Sequence, residues 1–131
     1  MLNYLEKFFV FSVCLIFIFY VRAHLTIFGF GSLIKFLRRH AKLNVFGRNK
    51  LGQTLKSIEI VSKYLPFISC LVKASALKLL HNKLIGLEVN IGIRINNQAI
   101  FESHAWVSFN KEIILNYEPD IRLYKVIYTI N

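Results

Sequence analysis

The sequence predicts an α+β fold, with helices first and an antiparallel sheet after them. Helix-forming residues without Gly or Pro run from Leu71 to Leu80. Beyond this run, apolar residues alternate with polar ones, which is typical of strands with one buried face. The alternating apolar positions of the first such segment are Val89, Ile91, Ile93 and Ile95. The chain has 131 residues, enough for one domain with a modest core.

The first apolar segment, Phe8 to Val21, is bounded by Lys7 and Arg22. It is short for a membrane-spanning helix, which needs about 20 residues. Arg22 at the cleavage position argues against a signal peptide. A span extended through Phe30 would place Arg22 and His24 inside the membrane, which is costly. We therefore expect a buried or interfacial helix that packs on the rest of the protein.

A second, basic helix is predicted over Leu33 to Leu43, with Ser32 as its N-cap after a break at the preceding glycines. Its basic side chains are Lys35, Arg38, Arg39, His40 and Lys42. An apolar helix followed by a basic amphipathic one fits an anionic membrane surface. A solvated positive face explains the same charges equally well.

Cys70 begins the central predicted helix, after a predicted loop over 44–53 and a short helix over 54–64. Pro66 precedes this helix, and Ser69 is its predicted N-cap. A thiol at a helix start lies at the positive end of the helix dipole, which favours the nucleophilic thiolate. The alternative is a buried cysteine that acts as a small apolar side chain.

The predicted sheet places His104 and Asn116 in the two strands of one hairpin, six residues on each side of its centre. Their side chains then face each other, or become neighbours after a one-residue slip. An amide there can accept a hydrogen bond from the imidazole and orient it, as in Cys-His-Asn triads. The candidate catalytic residues are therefore Cys70, His104 and Asn116. His81 is excluded as the base, because it lies roughly 16 Å from Cys70 along the same helix.

The predicted segments of the sheet are Val89–Ile95, a turn at Asn96-Asn97, Ala99–Phe109, a turn at Asn110-Lys111, Glu112–Tyr117 and Leu123–Ile130.

The net charge of +10 suits an acidic partner, an anionic membrane surface or nucleic acid. No nucleic-acid partner is predicted, because the sequence has no recognition-helix or zinc-finger pattern. No metal site is predicted either, because Cys70, His81 and His104 lack ligand spacing. No Gly-x-x-x-x-Gly-Lys loop is present for ATP, so we expect no cofactor.

The sequence has two cysteines, Cys14 and Cys70. A single disulfide bond between them would do little to stabilise a secreted domain. We therefore expect a reducing, cytoplasmic environment.

Two segments of the sequence resemble a known family. They are Ser69-Cys70-Leu71-Val72-Lys73-Ala74 with Ala76-Leu77, and Glu102-Ser103-His104-Ala105-Trp106-Val107. They resemble the Cys-Leu-x-x-Ala-x-Ala-Leu helix and His-Ala-Trp-Val strand of the lasso-peptide B-protein family, a transglutaminase-like leader peptidase. The resemblance covers residues 54–116. It implies a papain-like cysteine peptidase core over 46–131, with residues 1–45 forming helices that pack on this core or on the membrane surface.

The resemblance implies a cytoplasmic enzyme, membrane-associated if the apolar helix binds lipid, that removes a leader peptide through a thioester on Cys70. Its implied partners are the precursor peptide, a separate leader-binding protein and an ATP-dependent lasso cyclase. The family usually has Asp as its third catalytic residue, where this chain has Asn116. Glu118 and Asp120 are therefore alternatives for this role, and we choose Asn116. Two other functions stay open: acyl transfer to an amine, and a non-catalytic membrane-associated adaptor.

Overall fold

Four helices precede a four-stranded sheet in the computed structural model, which describes residues 4–39 and 45–131. The helices are α1 (Tyr4–Phe28), α2 (Phe30–Arg39), α3 (Leu51–Tyr64) and α4 (Cys70–Leu80). The strands are β1 (Leu87–Ile95), β2 (Phe101–Phe109), β3 (Glu112–Leu115) and β4 (Lys125–Ile130). Short 3-10 turns cover Arg48–Lys50 and Ile121–Leu123.

The sheet has the strand order β3-β2-β1-β4, and each neighbouring pair is antiparallel. β1 and β2 form a regular hairpin in which Leu87 pairs with Phe109 and Ile95 with Phe101. The predicted α+β class, with helices before an antiparallel sheet, is therefore confirmed.

Helix α4 lies at the centre of the molecule. It packs against α1 and α3 on one side and against β1 and β2 on the other. Eight of its 11 residues are buried. This central position holds the start of α4 firmly against the sheet, and the start of α4 is where Cys70 lies.

Helix α1 is one continuous helix of 25 residues, longer than the predicted apolar segment. Val10, Cys14, Ile18 and Val21 form its buried face and recur at helical spacing. This face packs on α3 and α4. By its length and composition, the helix is also long and apolar enough to cross a membrane.

Helix α2 differs from its prediction at the N-terminus. Gly29 alone breaks the chain direction, with φ +86 in the left-handed region that favours glycine, and α2 begins at Phe30. Ser32 therefore lies inside the helix, where its Oγ is 3.2 Å from His24 Nε2, and its predicted capping role is wrong. The predicted continuation over 40–43 lies outside the described residues.

Other boundaries shift by two or three residues. Helix α3 begins at Leu51, so part of the predicted loop is helical. β2 begins at Phe101 because Ala99 (φ 60) belongs to the turn. β3 ends at Leu115 because Asn116 adopts φ 65, which ends the extended conformation. The division of the chain near residue 45 stays a prediction.

Candidate active site

Cys70 is the first residue of α4 and is half-buried. Ser69 is extended (φ -80, ψ 167), and its Oγ accepts a hydrogen bond of 3.3 Å from the Val72 N–H, which confirms the predicted N-cap. The N–H of Cys70 itself has no possible acceptor inside the helix, as for the first N–H groups of any α-helix. The thiol therefore lies beside a backbone donor that is available to a ligand.

His104 lies in the middle of β2, with only 7% of its surface exposed. Its ring stacks on Trp106 at a centroid distance of 5.9 Å and contacts Tyr124 at 5.6 Å. Gly92 pairs with His104 across the sheet. A Cβ at Gly92 would come within 2.9 Å of Tyr124 Cβ, so the absence of a side chain there makes room for this aromatic group.

A backbone carbonyl orients the His104 ring. The Nε2 atom lies 2.6 Å from the carbonyl oxygen of Asn116. Because a carbonyl can only accept, Nε2 carries the proton and donates it. The neutral ring therefore has its free lone pair on Nδ1, which is the nitrogen able to act as a base.

The side chain of Asn116 has a different partner from the one predicted. Its Nδ2 donates to the carbonyl oxygens of Cys70 and Ala105, both at 2.9 Å. The structure therefore brings Asn116 to both Cys70 and His104, but the backbone carbonyl, and not the amide, contacts the imidazole. A bulge next to Val107 pairs this residue with Leu115 and removes the symmetric register that the sequence suggested.

The two alternative acids differ in their surroundings. Glu118 Oε1 lies 3.7 Å from His104 Nδ1, with 45% of its side chain exposed. Asp120 is instead bound to Arg94 at 2.9 Å. Arg94 also contacts Glu102 at 2.8 Å. A hydrogen bond from Asn96, together with the hydrogen bonds from Arg94, holds the pKa of the Glu102 carboxyl below its usual value. Asp120 therefore belongs to an ion-pair network, and Glu118 is the acid that faces the imidazole.

Cys70 and His104 open into one cavity of about 280 Å³. The other residues that line it are Phe30, Leu71, Ile91, Ile93, Ser103, Ala105 and Ile127. The hydrogen bonds of the described residues do not include one between the thiol and the imidazole, a contact that in many enzymes tightens only with substrate bound. A nucleophile and an oriented base at an apolar cavity suit acyl chemistry on an uncharged substrate group.

Phe30 lines the cavity, although the sequence did not indicate it. It comes from α2, and a ring contact with Tyr128 at 5.7 Å holds it against β4. Gly92 and Tyr124 were also missed, although a glycine inside an alternating strand is a sequence signal of close packing.

The remaining histidines that the structure describes lie elsewhere. His81 is fully buried and bonds Thr54 Oγ1 at 2.9 Å, and His24 pairs with Ser32. Among the described residues, no group of three or more His, Cys, Asp or Glu side chains could hold a metal ion. Cys14 and Cys70 are both free thiols.

The comparison with protein families gives one match. The model of the transglutaminase-like superfamily matches residues 17–129, which include α2, α3, α4 and nearly all of the sheet. Searches of curated proteins and of solved structures find no match. The superfamily includes cysteine peptidases and acyltransferases, generally cysteine-based enzymes. Because the match spans most of the sequence, the chain belongs to the transglutaminase-like superfamily.

Proposed function

We propose that this protein is a cysteine peptidase that cleaves a precursor peptide through a thioester on Cys70. The observation that carries the proposal is that Cys70 and His104 line one apolar cavity, with the His104 tautomer set by the Asn116 carbonyl. A thiol and a basic imidazole nitrogen are the two groups that this chemistry requires.

In the proposed reaction, His104 Nδ1 takes the thiol proton and the Cys70 sulfur attacks the substrate carbonyl carbon. The Cys70 N–H donates a hydrogen bond to the resulting oxyanion. The tetrahedral intermediate collapses with cleavage of the C–N bond, and the leaving amine takes the proton from Nδ1. Water, deprotonated by the same nitrogen, then attacks the thioester, which releases a carboxylic acid and restores the thiol.

The narrower assignment is removal of the leader peptide in lasso-peptide maturation. It is supported by the Cys-Leu-x-x-Ala-x-Ala-Leu and His-Ala-Trp-Val segments of this sequence, with Cys70 and His104 at their functional positions. Under this assignment a separate leader-binding protein presents the precursor, and an ATP-dependent cyclase uses the amine that is released. The apolar lining of the cavity, with Leu71 and Ile91 next to the cysteine and histidine, suits an apolar side chain of the peptide.

The test is mass spectrometry of a lasso precursor peptide after incubation with the purified protein and a leader-binding protein. We expect two fragments whose masses sum to the precursor plus one water. Cys70→Ala should yield only intact precursor, whereas the matched variant Cys14→Ala should still cleave. Retained cleavage by Cys70→Ala would refute the mechanism. A cross-linked product, with no added water, would indicate acyl transfer to an amine.

A further inference from the structure

Helix α1 has two apolar faces, but the protein covers only one of them. The inner face, which includes Cys14 and Ile18, is buried against α3 and α4. The opposite face, called here the outer stripe, is exposed. It consists of Phe8, Phe9, Ile16, Phe19, Tyr20 and Ile27, between 46% and 71% exposed.

The outer stripe carries no charge along its length. The three other residues on the same side of the helix are small and uncharged: Ser12, Ala23 and Thr26. A continuous apolar patch of this kind is unusual on a monomeric soluble protein and marks a surface that another molecule covers.

Cations lie next to this stripe. Tyr20 in the stripe contacts Phe36 of α2 at a ring distance of 5.6 Å, so α2 runs beside it. Lys35 and Arg39 of α2 are exposed, whereas Arg38 lies over the Tyr128 ring of β4. The whole chain has a net charge of +10. An apolar stripe beside exposed cations complements a lipid surface with anionic headgroups, because acyl chains and phosphates are then contacted together.

We propose that the outer stripe of α1 docks in the interface of an anionic lipid bilayer, with the helix lying parallel to the membrane. A spanning orientation is disfavoured by α3, which packs along α1 and carries exposed Lys56, Glu59 and Lys63. These charges would enter the hydrocarbon together with α1. This inference does not depend on the proposed peptidase activity.

Docking also brings the active-site cavity near the lipid. Only Gly29 separates α1 from Phe30, and Phe30 lines the cavity beside Cys70. A peptide held at the membrane surface would therefore meet the cavity without leaving the interface.

The test is flotation of the full chain with phosphatidylcholine vesicles, with and without phosphatidylglycerol. We expect the protein to float with the anionic vesicles and at least about tenfold less with the neutral ones, because exposed cations of α2 lie beside the stripe. The double variant Ile16→Glu with Phe19→Glu should weaken binding to anionic vesicles at least about tenfold, since it puts two charges in the stripe.

The matched control is Ile95→Glu with Phe101→Glu. These two residues pair across β1 and β2, are 62% and 71% exposed and lie outside the stripe. This variant adds the same two negative charges as the stripe variant, but outside the stripe. It should therefore still float with the anionic vesicles. Equal loss of binding in both double variants would overturn the proposal, and circular dichroism would verify that each variant is folded.

Two further outcomes would also overturn it. Wild-type protein that stays unbound with both vesicle types, but forms a dimer that the stripe variant dissociates, would mean that a second copy covers the stripe. Bound protein that resists extraction with alkaline carbonate would mean that α1 spans the bilayer. Release by carbonate is the result expected for an interfacial helix.

Discussion

The described residues contain two places where a cysteine lies near a histidine, and in each place one polar residue contacts both. Asn116 connects Cys70 to His104 at the edge of the cavity. In the core between α1, α3 and the end of α4, Thr54 hydrogen-bonds His81 and Cys14. The residue types are alike, but their surroundings are opposite.

Burial makes the core neighbourhood chemically inert. It raises the pKa of the Cys14 thiol to about 11, although hydrogen bonds with Ser57 and Thr54 act in the other direction. It also lowers the pKa of His81 to about 4. At neutral pH both groups are therefore uncharged, and the thiol supplies almost no thiolate. A cysteine near a histidine is therefore a candidate site only where solvent and substrate reach it.

The largest expected difference is in thiol reactivity. Treating the native protein with iodoacetamide at pH 8 should label Cys70 at least about a thousandfold faster than Cys14, because the thiol of Cys14 is protonated and inaccessible. Peptide mapping by mass spectrometry measures the two rates. In denaturant both cysteines should react at similar rates. Comparable labelling of the two in the native state would contradict the comparison.

The two histidines should separate in catalysis. His104→Ala should lower kcat/KM about 10²- to 10⁴-fold, as loss of a general base does. His81→Gln should change it by less than about threefold, because Gln can still donate to Thr54 and no cavity residue is disturbed. Steady-state cleavage of the precursor peptide measures both, with thermal unfolding as the control for folding. A similar loss in both variants would place the base elsewhere.

The core histidine should make stability depend on pH. The unfolded chain binds a proton at His81 near pH 6.5, whereas the folded chain binds it only near pH 4. Between these values the unfolded state holds more protons, so acidification favours unfolding by up to about 3 kcal/mol, and the contribution is fully present above pH 6.5. Urea denaturation at several pH values should show this slope in the wild type and a flatter one in His81→Gln.

Asn116→Asp tests the two roles of the residue that joins Cys70 to His104. The change would supply an acid at this position, yet it would place a carboxylate against two carbonyl oxygens in place of two N–H donors. We expect a loss of about 2 kcal/mol in the free energy of unfolding. Asn116→Gly, which accepts φ 65 and keeps the backbone carbonyl, is the control and should retain the orientation of His104. A more stable Asp variant would contradict the assigned hydrogen bonds.

The smallest expected effect is at Glu118. Its carboxylate lies 3.7 Å from His104 Nδ1 but is nearly half exposed, and an exposed pair of this kind contributes at most about 1 kcal/mol. Glu118→Gln should therefore lower kcat/KM by less than about fivefold. Asp120→Asn, which removes the ion pair with Arg94, is the matched variant, because it removes the same charge at a residue that pairs with Arg94 and not with the imidazole. A loss of a hundredfold at Glu118 would make this residue a member of the catalytic set.

Much of the fold could be predicted because its signals are local. The start of α4 depends on Ser69 and its own backbone, and the alternation in β1 reflects one buried face. The turn at Asn110-Lys111 has positive φ at both residues, and Asn is among the residues that tolerate it best. Neighbouring residues determine each of these features, so one sequence is sufficient to locate them.

The geometry of the site could not be predicted from the sequence, because it depends on contacts between segments that are distant along the chain. Asn116 was placed near His104 correctly, but the bulge beside Val107 and the left-handed backbone of Asn116 turn its carbonyl, and not its amide, toward the ring. Phe30, which lies 40 residues before Cys70 in the sequence, lines the cavity from helix α2. The spacing of residues along the sequence predicted which residue types form the site. The packing of helices on the sheet determines which atoms of these residues contact one another.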